Sequence, residues 1–441
     1  MSTMHTFTRA IPCDDHWDVI VAGGGPAGCT AAIAAARAGR RVLLLEATSA
    51  LGGMGTMGLI PAWCPFSDGE KIIYRGLAET VFTRSKAGMV HVDPHATDWV
   101  PIDPEHLKSI YDDLVTSAGV HLLFNTQVAA IEQSDGCITA VITAGKDGLH
   151  ANTATVYVDG TGDADLAAWA GAPYAQGDAA GEVQPASLCF TLSNVDAYAY
   201  AFGNHPYSHL LHTRMDSEKY TLLSDLHLCN NLVGPGTVGF NAGHLWGVDN
   251  TDPASVTPAL IAGRKIAAQF RDALAEYLPA AFANAHLVAT APLMGIRETR
   301  RIIGDYVLTV EDYLARRSFA DEIGRNCYPV DIHTAQHEVS DALQGTVSAM
   351  DRFPRYARGE SHGIPYRSLI PQGVKNVLVA GRSISTDRPV QASVRVMPVC
   401  LVTGEAAGMA AALACETGGD VRAVDVHNLR ERLQAEGAYL P

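Results

Sequence analysis

Apolar and polar positions first fall into order at Asp18-Val-Ile-Val-Ala22, a β-branched run of the kind that forms a buried parallel strand. The Ala-rich stretch CTAAIAAARAG predicts a helix closed by Gly39, and RRVLLLE predicts a second strand ending at Glu46. Within 102–119, Asp103 is placed as an N-cap and Pro104 at the first helical position, with Ile110, Leu114 and Val115 as an apolar stripe. From His121 to Asp163 the apolar residues alternate between the turn signals SDG and KDG. That predicts a small antiparallel meander running into a glycine turn with Asp163 and Asp165. Between about Gly171 and Arg367 this texture fades into dispersed aromatics, histidines and prolines, with a capping box at Thr309-Val-Glu-Asp. Lys375–Ser385 returns to buried strand and glycine turn, and Cys400–Cys415 predicts a small-residue helix able to pack closely on a sheet or cofactor.

The order of these elements predicts an α/β fold in which a Rossmann-like nucleotide domain, 17–170 and 368–441, is interrupted by an inserted mixed α+β domain, 171–367. A chain of 441 residues exceeds one simple core, which suits two interleaved domains. No linker, repeat or low-complexity tract interrupts it.

With 41 glycines, a chance G-x-G-x-x-G is expected about 0.35 times, yet three occur, from Gly23, Gly53 and Gly234. Only the first has strand, turn, helix, second strand and acid in order. There Gly23 permits the tight turn, Gly25 lets a pyrophosphate approach the backbone, and Gly28 allows close helix–strand packing. Glu46 stands 18 residues beyond Gly28, where a carboxylate accepts ribose hydroxyls. GPGTVG at Gly234 has no helix after it and is expected to be a loop of the inserted domain. GMGTMG follows the Glu46 strand directly.

Composition narrows the function classes. A net charge of −15 without a basic stripe argues against nucleic-acid binding. The nine cysteines are scattered without a C-x-x-C pair, which suits reduced thiols in the cytoplasm. Residues 1–16 lack the apolar core of a signal peptide, and Val19–Leu45, read as the most apolar long segment, is broken by glycines, Pro26 and arginines. No membrane partner is expected. A homo-oligomer is compatible with everything in the sequence.

Five segments in order carry a resemblance: DVIVAGGGPAG…LLLE…LGGMGT, VDGTGDADLA, TAPLMGIRETRRIIGDYVLT, IPYRSLIPQGVKNVLVAGRSIS and RVMPVCLVTGEAAGMAAAL. Together they resemble FAD-dependent oxidoreductases with a glutathione-reductase-like FAD domain, distantly similar to fumarate reductase flavoproteins. The resemblance spans Asp18 to about Leu413 and implies FAD held by a three-layer domain with a β-meander. It implies Gly23, Gly25, Pro26, Ala27 and Gly28 at the pyrophosphate, and Glu46 with Ala47 at the adenosine ribose. Gly52, Gly53 and Thr56 would run along the flavin side, and Val128 would offer its backbone to adenine. Gly162 and Asp163 would lie near the pyrophosphate, and Gly381 would close a second loop. Arg382 stands where many relatives carry an acid. It cannot accept a ribityl hydroxyl, and pairing with phosphate is the alternative. A helix from about Thr403 would aim its amino end at the flavin ring.

A flavin exchanges hydride at N5, so the protein must position a substrate C–H and manage a proton. Arg297 and Arg301, four apart, either clamp a carboxylate together or join Glu298 and Arg300 in a structural ion-pair network. Among 17 histidines, His333 beside Asp331 and His244 beside Asp249 are the acid/base candidates, against a structural role for each. Cys64 is either a flavin-side thiol or a small buried hydrophobe. Arg395 is either a second anion anchor or the partner of Glu405. No H-E-x-x-H or equivalent spacing occurs, so no metal is expected.

The leading expectation is an oxidoreductase acting on a small oxygenated molecule, with an electron acceptor the sequence does not name. The alternatives are a flavin-dependent lyase or isomerase without net redox change, and a non-catalytic flavoprotein. A reductase with its own pyridine-nucleotide domain is disfavoured, because neither later glycine match has βαβ context.

Overall fold

The computed structural model describes residues 5, 6, 8–203, 207–225, 227–333 and 353–441. Six strands build most of the main sheet: β1 (Cys13–Ala22), β2 (Val42–Leu45), β3 (His121–Leu123), β4 (Gln127–Ser134), β5 (Cys137–Gly145) and β6 (Gly148–Asp159). The order runs β3-β2-β1-β6, all parallel, because Val19–Ala22 and Val42–Leu45 are buried on both faces and need cover above and below. The far edge of β6 is shared. Its first half pairs antiparallel with β5, and its last three residues pair parallel with Val377–Val379, so segments from both ends of the chain meet on one strand.

The meander β4-β5-β6 follows the alternation of its sequence, and its first turn uses Asp135 and Gly136, both at positive φ. Asp103 caps the helix Pro104–Ser117 by accepting from the amides of Glu105 and His106, and Leu107, Ile110, Tyr111, Leu114 and Val115 form its buried face.

The first helix, Pro26–Arg37, lies against the C-terminal core helix, Met397–Ala414. Their contact needs glycine: a Cβ at Gly404 would overlap the carbonyl of Ala27, and one at Gly408 the carbonyl of Ala31. Thr30 Oγ1 donates to the Leu401 carbonyl across the same seam at 2.8 Å. The core helix begins at Met397, six residues before the expected start near Thr403, with Pro398 in its first turn. Met397–Thr417 is long and apolar enough to cross a membrane, with a mean hydropathy of 1.5, but 94% of that window is buried in the protein.

The middle of the chain carries a separate core. Strands His286–Thr290, Phe190–Ser193, Thr237–Ala242 and Leu228–Gly234 form an antiparallel sheet in that order. The helix Pro253–Tyr277 packs on it through Phe270, which stacks on Phe190. The GPGTVG match is the hairpin turn between the last two strands, with Gly236 at φ +62°. Not all of 171–367 belongs to this core. Leu308, Tyr313, Ile323, Tyr328, Val330, Ile364 and Tyr366 join the cluster that holds the first helix. Thr309 and Asp312 form the expected capping box.

Candidate active site

The glycine turn after β1 is built for close approach. Gly23 sits at φ +92°, where a Cβ would stand 2.5 Å from the Gly160 carbonyl oxygen, and a Cβ at Gly28 would overlap the Gly23 carbonyl. Gly25 is the N-cap of the first helix, no side chain caps that helix, and no atom lies within 4 Å of the place its Cβ would take. Pro26 and Ala27 follow in the first turn. The helix thus presents amides and the positive end of its dipole to open space.

Glu46, buried at the end of β2, accepts from the Gly24 amide through one oxygen and the Thr48 amide through the other, both at 2.7 Å. Ala47 beside it is exposed. The turn Gly52–Thr56 lies on the helix mouth, since a Cβ at Gly53 would be 3.1 Å from the Gly25 Cα, and Thr56 Oγ1 folds it by donating to Leu51 O at 2.6 Å. Val128 pairs with Thr143 on the inner side of β4, whose outer side is a sheet edge. Gly381, at φ +87°, donates its amide to Thr403 Oγ1 at 3.1 Å.

Arg382 crosses over Gly162 and donates to Asp163 Oδ1 at 2.8 Å, while its Nε is buried without a partner. Asp163 also accepts from Thr299 Oγ1 and Asn250 Nδ2.

The chemistry gathers in front of the core helix. His227 heads the strand Leu228–Gly234, His244 follows the strand Thr237–Ala242, and His333 lies five residues beyond Tyr328. His227 and His244 stack with ring centroids 4.5 Å apart, and His333 stands edge-on to both. His244 Nε2 and His333 Nδ1 are 2.8 Å apart. Arg297 donates to the Pro185 carbonyl at 2.7 Å and Ser187 Oγ at 3.0 Å, and turns its other nitrogen to His227 Nε2 at 2.9 Å. Behind the rings lie carboxylates: Asp225 is 3.4 Å from His244 Nδ1, and Asp331 is 3.7 Å from His333 Nε2.

Electrostatics follow from burial. Burial and nearby Arg297 push His333 down to about 3 and hold His227 well below its ordinary value. His244 is lowered by burial against the opposing Asp225 hydrogen bond. Burial alone would raise Asp331, but His333, Arg395 and Arg297 hold it well below the usual carboxylate range. Burial and Arg395 lower Arg297 to about 10, which leaves it cationic at neutral pH. Burial, then Asp331, raises the Cys64 thiol to about 12, so Cys64 is no thiolate nucleophile.

Several expected partners differ. Asp249 accepts from the amide and hydroxyl of Thr251, and Asp225 takes the place beside His244. Arg395 pairs with Asp331, while Glu405 accepts from the Leu77 amide at 2.9 Å. Arg297 and Arg301 do not meet in a clamp. Arg301 is ion-paired to Glu298, which also holds Arg388, and Arg300 pairs with Asp165. Sequence spacing gave no metal signature, yet the fold brings one ring nitrogen of each of His227, His244 and His333 within 4.8 Å of the others. His227 and Asp225 were missed. Their only signal is DLHLCN, two polar positions spaced as on a strand, where local spacing gives no hint of the partners the fold supplies.

The two regions are joined. Gln391, in the helix Arg388–Val394, donates to the Arg297 carbonyl at 2.8 Å, and the chain then runs through Arg395 into the core helix. A Cβ at Gly55 would stand 3.2 Å from Met397 Sδ, so the head of that helix lies on the Gly52–Thr56 turn.

A parallel sheet with a glycine turn, an uncapped helix and a terminal acid defines a dinucleotide-binding protein, here with a cluster of Arg297 and three histidines besides. The sequence profile of the family described as FAD dependent oxidoreductase matches residues 18–433, and the chain belongs to that family. Over 48 residues it is 54% identical to the soluble pyridine nucleotide transhydrogenase of Marinomonas sp. (strain MWYL1), covering 11% of this chain and 10% of that protein. The chain thus matches only a tenth of the length of that curated relative.

Among solved structures it is similar to the flavin-dependent brominase Bmp2, with TM-score 0.48 and 12% identity over 95% of this chain and 84% of that one. It is also similar to a geranylgeranyl bacteriochlorophyll reductase-like protein from Thermoplasma acidophilum, with TM-score 0.45 and 11% identity over 97% and 85% of the two chains. The p-nitrophenol 4-monooxygenase PnpA of Pseudomonas putida DLL-E4 gives TM-score 0.44 and 11% identity over 96% and 87%.

The chain is an FAD-dependent enzyme, and the cradle fits that cofactor. Open space at Gly25 faces an uncapped helix, Glu46 stands at the end of β2, and the core helix also begins without a capping side chain, at Val396.

Proposed function

We propose that this enzyme transfers a hydride between a small, oxygenated, anionic organic molecule and its bound FAD. When bound, FAD supplies the position that exchanges hydride, N5 of its ring. The first helix, the Gly52–Thr56 turn, Glu46 and Gly381 would hold the dinucleotide, and the head of the core helix would face its ring.

The observation that carries the reading is the meeting of Arg297 with three imidazoles beside the segment that leads into the core helix. Arg297 is fixed through one nitrogen by Pro185 and Ser187, which leaves the other to turn from His227 to an anionic group of the substrate. Arg395, whose Nε is buried without a partner, supports the same charge preference. Oxidation of a hydroxyl-bearing carbon also releases the hydroxyl proton, and the histidine cluster is placed to take it. The imidazoles are neutral and so have a site for it, and burial beside Arg297 makes them weaker bases than a free imidazole. Nine free thiols support a reducing, cytoplasmic setting.

Anaerobic mixing of the purified yellow enzyme with a panel of small hydroxy acids tests the proposal. A member of the panel is expected to bleach the visible flavin band, and an added acceptor to restore it. Turnover with no acceptor and no bleaching would point instead to a lyase or isomerase and overturn it.

A further inference from the structure

We propose that Gln184 and Gln391 are positioning residues for the transfer. Their buried carboxamides form one hydrogen-bonded chain that ties Arg297 and His333 to the helix leading toward the flavin. The positioning role rests on the function proposed above; the chain itself rests on geometry alone.

The chain runs in one direction. The His333 amide donates to Gln184 Oε1 at 3.2 Å, and Gln184 Nε2 donates to Gln391 Oε1 at 2.9 Å. Gln391 Nε2 then donates to the Arg297 carbonyl at 2.8 Å. A carboxamide accepts at one end of its head and donates at the other, so each glutamine is used at both ends. A carboxylate could not donate, and an aliphatic chain could do neither. Gln184 is 2% exposed and Gln391 1%, so water replaces none of these bonds.

The helix Arg388–Val394 is the fixed point. Asp387 caps it by accepting from the Val390 amide at 2.8 Å. Arg388, Gln391 and Arg395 are spaced three and then four apart, which puts them on one face. Arg388 donates to Glu298 Oε2 at 3.1 Å, Gln391 to the Arg297 carbonyl, and Arg395 to the Asp331 carbonyl at 3.0 Å. One helical face therefore holds both the segment that carries Arg297 and the segment that carries His333. Two residues past Arg395 the core helix begins.

Gln184 closes the circuit. Its own amide donates to Glu298 Oε2 at 3.0 Å, and the next carbonyl, that of Pro185, takes the Arg297 guanidinium. Ala186 and Ser187 then bridge to Leu245 and Gly295. The backbone at Gln184 is thus pinned before its side chain bonds anything, which lowers the entropy cost of fixing the carboxamide. A displacement of about 1 Å at a reacting group costs about 100-fold in rate. Through this chain Arg297 and His333 are referred to one helix, so anion anchor and proton acceptor keep their separation and their place before the core helix.

The test uses the FAD-loaded enzyme. Ile332–His333 is the only Ile–His pair in the chain, so carbonyl-labelled isoleucine with amide-labelled histidine isolates the His333 amide by NMR. Gln391→Met keeps the side-chain length and breaks the chain at a residue that does not bond His333. The His333 amide should then exchange with solvent at least about tenfold faster at equal FAD content. Unchanged exchange would overturn the chain. Gln184→Met and Gln391→Met should each slow anaerobic bleaching by a hydroxy acid at least about tenfold, and the double variant should be about as slow as either. Losses that multiply would mean independent roles and overturn it. If neither variant folds, the wild type decides: exchange of the His333 amide at least about 100-fold slower than in a free peptide is expected, and an unprotected amide overturns the chain. An enzyme that no hydroxy acid bleaches, whose His333 exchange still responds to Gln391→Met, sinks the functional reading and keeps the chain. Equal bleaching in wild type and variants sinks the positioning role and keeps the oxidoreductase.

Discussion

Single side chains decide what the site binds. Arg297 anchors one nitrogen through two fixed acceptors and turns the other to the histidine cluster, a division of labour that a lysine ammonium cannot reproduce. Arg297→Lys should therefore lower kcat/KM for the true substrate at least about 100-fold, mainly through KM, while FAD stays bound. Steady-state kinetics with flavin quantitation checks this. Glu46 makes a second case. Its removal in Glu46→Ala leaves the Gly24 and Thr48 amides unpaired, at a cost of about 1–3 kcal/mol each where they are buried. FAD should then dissociate at least about tenfold more readily, as read by flavin fluorescence on dilution. Which residues were legible at this scale depends on chain distance. Asp331 beside His333 is a two-residue pattern, visible in the sequence and kept in the fold. Asp225 reaches His244 from nineteen residues upstream, across a hairpin that no local spacing reveals, and the nearer Asp249 turns to Thr251 instead.

Elements position those residues, and the seam between the first helix and the core helix is the tightest of them. Glycine at 404 and 408 lets backbone touch backbone beneath the cofactor cradle. Gly404→Val should cost about 3 kcal/mol or more, because the clash is with a carbonyl that cannot rotate away. Thermal melts should show a lower Tm and early release of FAD; an unchanged Tm would contradict the packing account. The strands, the Asp103-capped helix and the meander were readable because period and cap residues coincide in them. The start of the core helix was not. Val396-Met397-Pro398-Val399 is apolar on every side, so neither periodicity nor a polar cap marks the boundary, and Pro398 was its one available signal.

At the scale of the whole molecule, burial sets the response to acid. His362 is fully buried, accepts from or donates to Tyr356 at 2.5 Å, and faces Tyr313, Arg316 and Arg325. Burial, then Arg325 and Arg316, lowers it from 6.5 to about 3. Between those values the unfolded chain binds a proton that the folded chain refuses, so stability rises with pH through this window and falls as pH drops from about 6.5 toward 3. Urea midpoints should decline over that range, and His362→Gln should flatten the decline; an equal slope in both proteins would contradict the assignment. That Val377–Val379 joins the main sheet was legible from two strand-and-glycine segments at opposite ends of the sequence. What the sequence hid is that residues 308–330 and 364–366 return to the core of the first helix. Their aromatic-rich texture resembles that of the insertion, and only long-range pairing separates the two.

We place the meeting of substrate and FAD at the cluster of Arg297 and the three histidines. Anaerobic stopped-flow bleaching of the flavin by the best hydroxy-acid substrate tests it most directly, in the wild type, His333→Asn and Arg297→Lys. Rapid bleaching is expected in the wild type and at least about a 100-fold slower rate in both variants at equal FAD content. Bleaching at the wild-type rate in both variants would contradict it.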